Sequence, residues 1–177
     1  MKGCMAIDRQ KTETVHWHAV FTASRAEKKV RDRLEELGVE CFLPVQTVLR
    51  QWTYRKSRVV VPVIAGLVFV RVSRQEQVKV LQTKGVVAFL RLKGEAGAAV
   101  IPDKQMEDFR FLLDFSEEAV EMTNENIKAG DLVRVVKGSL RGMEGELIRH
   151  KGVTKVLVRI DMLGCAMVNI PASFVEK

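Results

Sequence analysis

The chain is poor in the residues that build redox frameworks, metal centres or membrane anchors. Only three of its 177 residues are cysteine: Cys4, Cys41 and Cys165. They are odd in number, far apart and form no C-x-x-C, so neither a disulfide framework nor a zinc site is expected. The plain expectation is a reducing, cytoplasmic setting, with Cys41 and Cys165 as small apolar core residues. Three histidines are present. His16 and His18 stand two apart on one strand face, but His150 is the only other imidazole, so they read as ordinary strand residues rather than ligands. No cofactor or metal is expected. No apolar run approaches the ~18 residues of a membrane span. The most apolar stretch, residues 59–72, is interrupted by Pro62, Gly66 and Arg71, and no membrane contact is expected. Residues 1–15 carry scattered charges and no apolar core, which predicts a mobile tail rather than a secretory signal. G-x-S-x-G, Walker A, G-x-G-x-x-G and H-E-x-x-H patterns are all missing, so the chain is not expected to be an enzyme.

What is present is an ordinary apolar fraction of 47% and a net charge of +7. The charge is unevenly placed. Residues 1–115 hold 20 Lys and Arg against 13 Asp and Glu, whereas residues 116–177 hold 9 of each. A cationic surface confined to the first part favours an acidic partner, either nucleic acid or an acidic protein face.

The periodicity divides the chain in the same way. His16–Thr22 reads as a strand with Trp17, Ala19 and Phe21 on one face and His18 and Val20 on the other. Ser24 with Glu27 predicts a capping box opening a helix, on which Ala26, Val30, Leu34 and Leu37 form the apolar stripe and Gly38 the stop. Residues 39–50 read as a strand pair, or one strand broken at Pro44. Residues 51–58 are basic, carry Trp52 and Tyr54, and predict a hairpin tip; these aromatics could stack on bases or pack on the hairpin itself, and packing is preferred. Residues 59–61 and 67–72 read as strands around a tight bend. Ser73 with Glu76 repeats the capping box before a short helix ending at Gly85, and residues 86–92 read as a strand. Pro102 opens a helix with Met106, Phe109 and Leu113 on one face. Residues 116–127 are acidic and polar, which predicts a linker. Beyond it, residues 132–136, 145–148, 153–160 and 166–170 are short β segments separated by glycine-containing turns, the pattern of a small barrel.

Gly130, Asp131, Leu132, Val133, Arg134 and Val135, followed by Gly138, Gly142 and Gly145, resemble the KOW motif of small SH3-like barrels. Trp17 to Val20, the helix with Glu27, Lys28, Lys29 and Val30, then Phe42, Leu43 and Pro44, the Gly66 to Val70 strand and Thr83 to Val86 occur in the order of an N-terminal domain of the NusG type. The chain therefore resembles the NusG superfamily over residues 16–177. Its short path from helix to Phe42 is closer to specialised paralogues of the RfaH and UpxY type than to housekeeping NusG. One departure is at Val63, Ile64, Ala65, Gly66 and Leu67, where the family usually has Pro-Gly-Tyr after bulky apolar residues.

The resemblance implies an α+β chain: an NGN-type domain at 16–115, an antiparallel sheet flanked by helices, joined by the 116–127 linker to a KOW β-barrel at 128–177. It implies a monomeric, operon-specific elongation or antitermination factor that holds the clamp helices of the largest RNA polymerase subunit and suppresses pausing or termination. The matching docking residues are Ile64 and Leu67, with Phe21, Phe42 and Val86. Arg25, Lys28, Lys29 and Lys84 match the region facing the non-template DNA strand, by phosphate neutralisation. Met162 and Leu163 match the barrel loop that meets a small-subunit ribosomal protein or Rho. The alternative is a ribosome-associated RNA-binding KOW protein, which the zero net charge of residues 116–177 disfavours.

Overall fold

A computed structural model describes residues 14–125 and 127–177. Most of the expected tail, with Cys4, lies outside the described residues. The first part runs β1 (His16–Thr22), α1 (Glu27–Glu36), β2 (Glu40–Phe42), β3 (Val45–Trp52), β4 (Arg55–Pro62), β5 (Leu67–Val72), α2 (Gln77–Gln82), β6 (Val86–Phe89) and α3 (Asp103–Phe115). Four of these strands form an antiparallel sheet in the order β2-β5-β1-β6, and among the described residues β3 pairs only with β4.

The sheet is buried on both faces, which is why β5 is apolar without interruption until Arg71. Strand alternation sends Val20, Val68, Val70 and Val72 to one face, where they pack with Val30 and Leu34 of α1 and Val80 of α2. It sends Trp17, Ala19, Leu67 and Phe69 to the other, against Met106, Phe109 and Leu112 of α3. Leu112, not the expected Leu113, completes the buried stripe of α3, and Leu113 sits half-buried at its margin.

The two predicted capping boxes fare differently. Ser73 and Glu76 form theirs: the Ser73 N–H donates to Glu76 Oε2 at 2.9 Å and the Glu76 N–H to Ser73 Oγ at 3.4 Å. At α1 there is none. Ala26 occupies the N-cap without a side-chain bond, and the Glu27 carboxylate turns into the protein instead. Leu37 also departs from its expected role. It is the C-cap residue and 55% exposed, because Gly38 (φ 74°) turns the chain away before Leu37 can reach the sheet.

The second part contains β7 (Glu121–Thr123), β8 (Asp131–Val135), β9 (Glu144–His150), β10 (Val153–Ile160), β11 (Gly164–Asn169) and β12 (Val175–Glu176). They form one antiparallel sheet in the order β12-β8-β9-β10-β11-β7, compatible with a KOW-type barrel. β7 falls within the stretch read as a linker; it pairs with β11, and Glu121 meets the buried Lys155 ammonium at 2.6 Å.

The two parts share a core. Trp17, Phe69, Met106 and Phe109 belong to the same apolar cluster as Val133, Val156, Ile160 and Val168 of the barrel. Polar contacts frame the seam: Gln105 Oε1 accepts the Asp161 N–H at 2.8 Å, and Gln46 Oε1 accepts the Val120 N–H at 2.9 Å.

Candidate docking and nucleic-acid surfaces

The bend between β4 and β5 is held from three sides. Gly66 takes the left-handed φ of 72° that residues with a side chain avoid. Its N–H donates to Glu27 Oε1 at 2.7 Å, and its carbonyl accepts the Thr22 N–H at 2.8 Å. One turn earlier the Val63 N–H donates to the Pro44 carbonyl at 2.8 Å. Glu27 is only 7% exposed. It is thus a long-range brace for the bend, which sequence reasoning assigned to a local cap because an acid three residues after Ser24 fits both roles. Glu27→Ala is expected to cost about 1.5–3 kcal/mol, the range for a hydrogen bond to a charged group, and to speed amide exchange at Gly66. Hydrogen-exchange measurements check both.

The five expected docking residues do not form one surface. Ile64 and Phe42 are half-buried against the cluster on the α3 side of the sheet. Phe21, which strand alternation directs to that same side, is 42% exposed. Leu67 is 2% exposed, so it supports this region from beneath and presents nothing outward. Val86 packs on the opposite face of the sheet, with the α1 cluster. Phe42 lies 6.2 Å from Phe69 and 6.3 Å from Phe109, ring centre to ring centre. The Arg110 guanidinium sits 4.7 Å from the Phe42 ring and 4.9 Å from that of Trp17, a pair of cation–π contacts that stiffens the margin of the patch.

The cationic residues do converge. Arg25, Lys28, Lys29 and Lys84 are all exposed. The turn bearing Lys84 is fastened to α1, since Arg33 Nη1 donates to the Lys84 carbonyl at 2.6 Å and the Ala23 N–H to the Gly85 carbonyl at 2.8 Å. Lys28 Nζ reaches the Val60 carbonyl at 3.3 Å, so the β3–β4 hairpin adjoins the same edge. Tyr54 does not pack on the hairpin as expected. It occupies the turn and is 98% exposed.

Met162 and Leu163 are half-buried and pack against the shared cluster beside the Gln105–Asp161 bond. Their apolar character at a turn is accounted for within the chain, where the expectation was a free partner surface. His18 is a core residue: Nδ1 lies 2.7 Å from the Ala99 carbonyl, the ring meets Phe89 edge-on, and burial holds its pKa below the usual histidine range. Burial pushes the Cys41 thiol up to about 11 and raises Cys165 as well, which leaves both as poor nucleophiles. Among the described residues no group of three His, Cys, Asp or Glu side chains is placed to hold a metal ion. Nor is any helix long and apolar enough to cross a membrane.

The family model described as transcription termination factor nusG matches residues 15–110, more than half of the chain. The chain belongs to the NusG family. Proteins of this family are transcription factors, not enzymes, and a role in transcription elongation follows from membership. NusG proteins generally bind RNA polymerase. Among solved structures, one titled for domain interaction in Thermotoga maritima NusG is 22% identical, with 93% of this chain and 97% of that one covered, at a TM-score of 0.50. That likeness shows a common fold. An MjSpt4:Spt5 complex matches at 17% identity over 90% of this chain and 96% of that one, with a TM-score of 0.28. No curated protein sequence matches the chain.

Proposed function

We propose that this NusG-family chain docks on the clamp helices of the largest RNA polymerase subunit through Ile64, Phe21 and Phe42, and suppresses pausing or termination during elongation. The observation that carries this reading is the braced bend at Gly66. Its neighbours are apolar, partly accessible and held by Glu27 and Thr22 before any partner arrives. A preformed surface loses little entropy on binding, so modest apolar burial at about 25 cal/mol per Å2 is enough to dock. Leu67 serves this surface as a support. Arg25, Lys28, Lys29 and Lys84 then face the non-template DNA strand, where their contribution is phosphate neutralisation and weakens with salt.

Residues 16–115 are the polymerase-binding domain and 128–177 the KOW domain in this proposal, with 116–127 as their connection. The protein acts in the cytoplasm as a monomer, as an operon-specific factor of the RfaH and UpxY type. Contact between the barrel loop and a ribosomal protein or Rho requires Met162 and Leu163 to leave the shared cluster they pack against. Loop engagement and domain separation are therefore linked. The test is single-round transcription by purified polymerase across a pause and a terminator. Added protein is expected to shorten pause lifetimes and raise read-through, while unchanged lifetimes at saturating protein would reject the proposal.

A further inference from the structure

The β3–β4 hairpin stands apart from both sheets. Among the described residues its strands pair only with each other, in the register Thr47 with Val60, Leu49 with Arg58 and Gln51 with Lys56. Those six residues share one face of the ribbon, and every one of them is exposed. The face is therefore free along most of its length. Among the described residues it also lacks counter-charges. The sequence contains no Asp or Glu between Glu40 and Glu76. Among the described residues, Arg50, Arg55, Lys56 and Arg58 have no carboxylate partner, whereas Arg134, Lys155 and Arg159 of the barrel are each paired. At the tip, Tyr54 projects its whole ring into solvent at 98% exposure.

We propose that this hairpin is an arm for a single-stranded polynucleotide, with Lys56 and Arg58 on the backbone phosphates and Tyr54 stacked on an unpaired base. Charge complementarity selects a polyanion, since an acid-free ribbon repels cations and leaves every phosphate contact unopposed. The exposed aromatic selects an unpaired strand, because a stacked duplex offers a tip tyrosine no free base face. The linkage of Lys28 to the Val60 carbonyl makes the arm continuous with the cationic edge at α1. The arm extends the proposed DNA contact from that edge by a separate set of residues. It does not depend on polymerase docking.

The experiment is fluorescence anisotropy of the full chain, without polymerase, on labelled oligo-dT, oligo-rU and a DNA duplex of the same length across a salt series. Oligo-dT and oligo-rU are both expected to bind more tightly than the duplex; a preference between them identifies DNA or RNA as the natural strand. Tyr54→Ala is expected to weaken binding about tenfold with the salt slope unchanged, since base stacking is largely independent of salt. Lys56→Gln with Arg58→Gln is expected to weaken it and to lower the slope of log affinity against log salt by about 1.4, two phosphates at roughly 0.7 each. These side chains are exposed, so the fold is expected to survive, and circular dichroism confirms it. A duplex bound as tightly as the single strands, or wild-type affinity in Tyr54→Ala, would overturn the proposal. Arg25→Gln with Lys84→Gln, which alters only the α1 edge, separates failure of the arm from failure of that contact.

Discussion

Phe109→Ala is expected to destabilise the chain by about 3–5 kcal/mol, the range for removing a fully buried phenylalanine. Phe109 is 0% exposed, and it sits edge-on to Phe42 at 6.3 Å and to Phe69 at 6.0 Å. Two rings and the sheet face thus close around one side chain, and little can collapse into the space it leaves. The effect should spread beyond α3, because the same cluster continues into Val156 and Ile160 of the barrel. Chemical denaturation followed by circular dichroism measures the loss. Phe115, at the end of the same helix and 50% exposed, is the control: Phe115→Ala should cost less than about 1 kcal/mol, because half of its surface is already in water. Equal costs at the two positions would show that α3 is not seated as described.

Glu146→Gln is expected to cost the barrel about 1–3 kcal/mol at neutral pH, the scale of a charge-assisted pair in partial shelter. Arg159 Nε and Nη2 donate to the two Glu146 oxygens at 2.6 and 2.9 Å. The Gly130 N–H adds a third bond at 3.0 Å, while Arg159 Nη2 also reaches the Ile127 carbonyl at 3.1 Å. One ion pair therefore ties β9 and β10 to the chain entering β8. The Arg159 hydrogen bonds, aided by Gly130 and opposed by burial, hold the Glu146 carboxyl below the usual carboxylate value of 4.5. A carboxyl lower in the folded state than in the unfolded one stabilises fully above the unfolded value. That stabilisation is lost as pH falls through the folded value. Wild-type stability should accordingly decline below about pH 4.5 more steeply than that of Glu146→Gln, with the two curves converging in acid. Parallel curves from pH 7 to pH 3 would contradict this account of the pair.

Much of the fold was legible because local rules and tertiary packing agreed. Alternation in β1 placed Trp17 and Ala19 opposite His18 and Val20, and both faces of the sheet are covered accordingly. The Ser73–Glu76 box needed only neighbours in sequence, and it formed. Glu27 shows where such reasoning stops. Its partner, the Gly66 N–H, is 39 residues away, and nothing local distinguishes a cap from a brace. Leu67 and Val86 were grouped with Ile64 by proximity along the chain or by resemblance. Strand pairing instead sealed Leu67 beneath the bend and turned Val86 to the other face. Met162 and Leu163 illustrate the reverse case. Apolar residues at a turn do indicate a partner, and in this conformation they pack against the apolar cluster that the two parts of the chain share. Domain contact of this kind leaves no periodic trace in a sequence.

The central claim is that the braced apolar bend is where polymerase is held, and equilibrium binding of the full chain to purified RNA polymerase tests it most directly. Ile64→Glu places a charge on the accessible part of the bend while leaving Leu67 and the Glu27–Gly66 bond in place. With the fold verified by circular dichroism, affinity is predicted to fall by at least about tenfold, or roughly 1.4 kcal/mol. Wild-type affinity in a folded Ile64→Glu protein would contradict the claim.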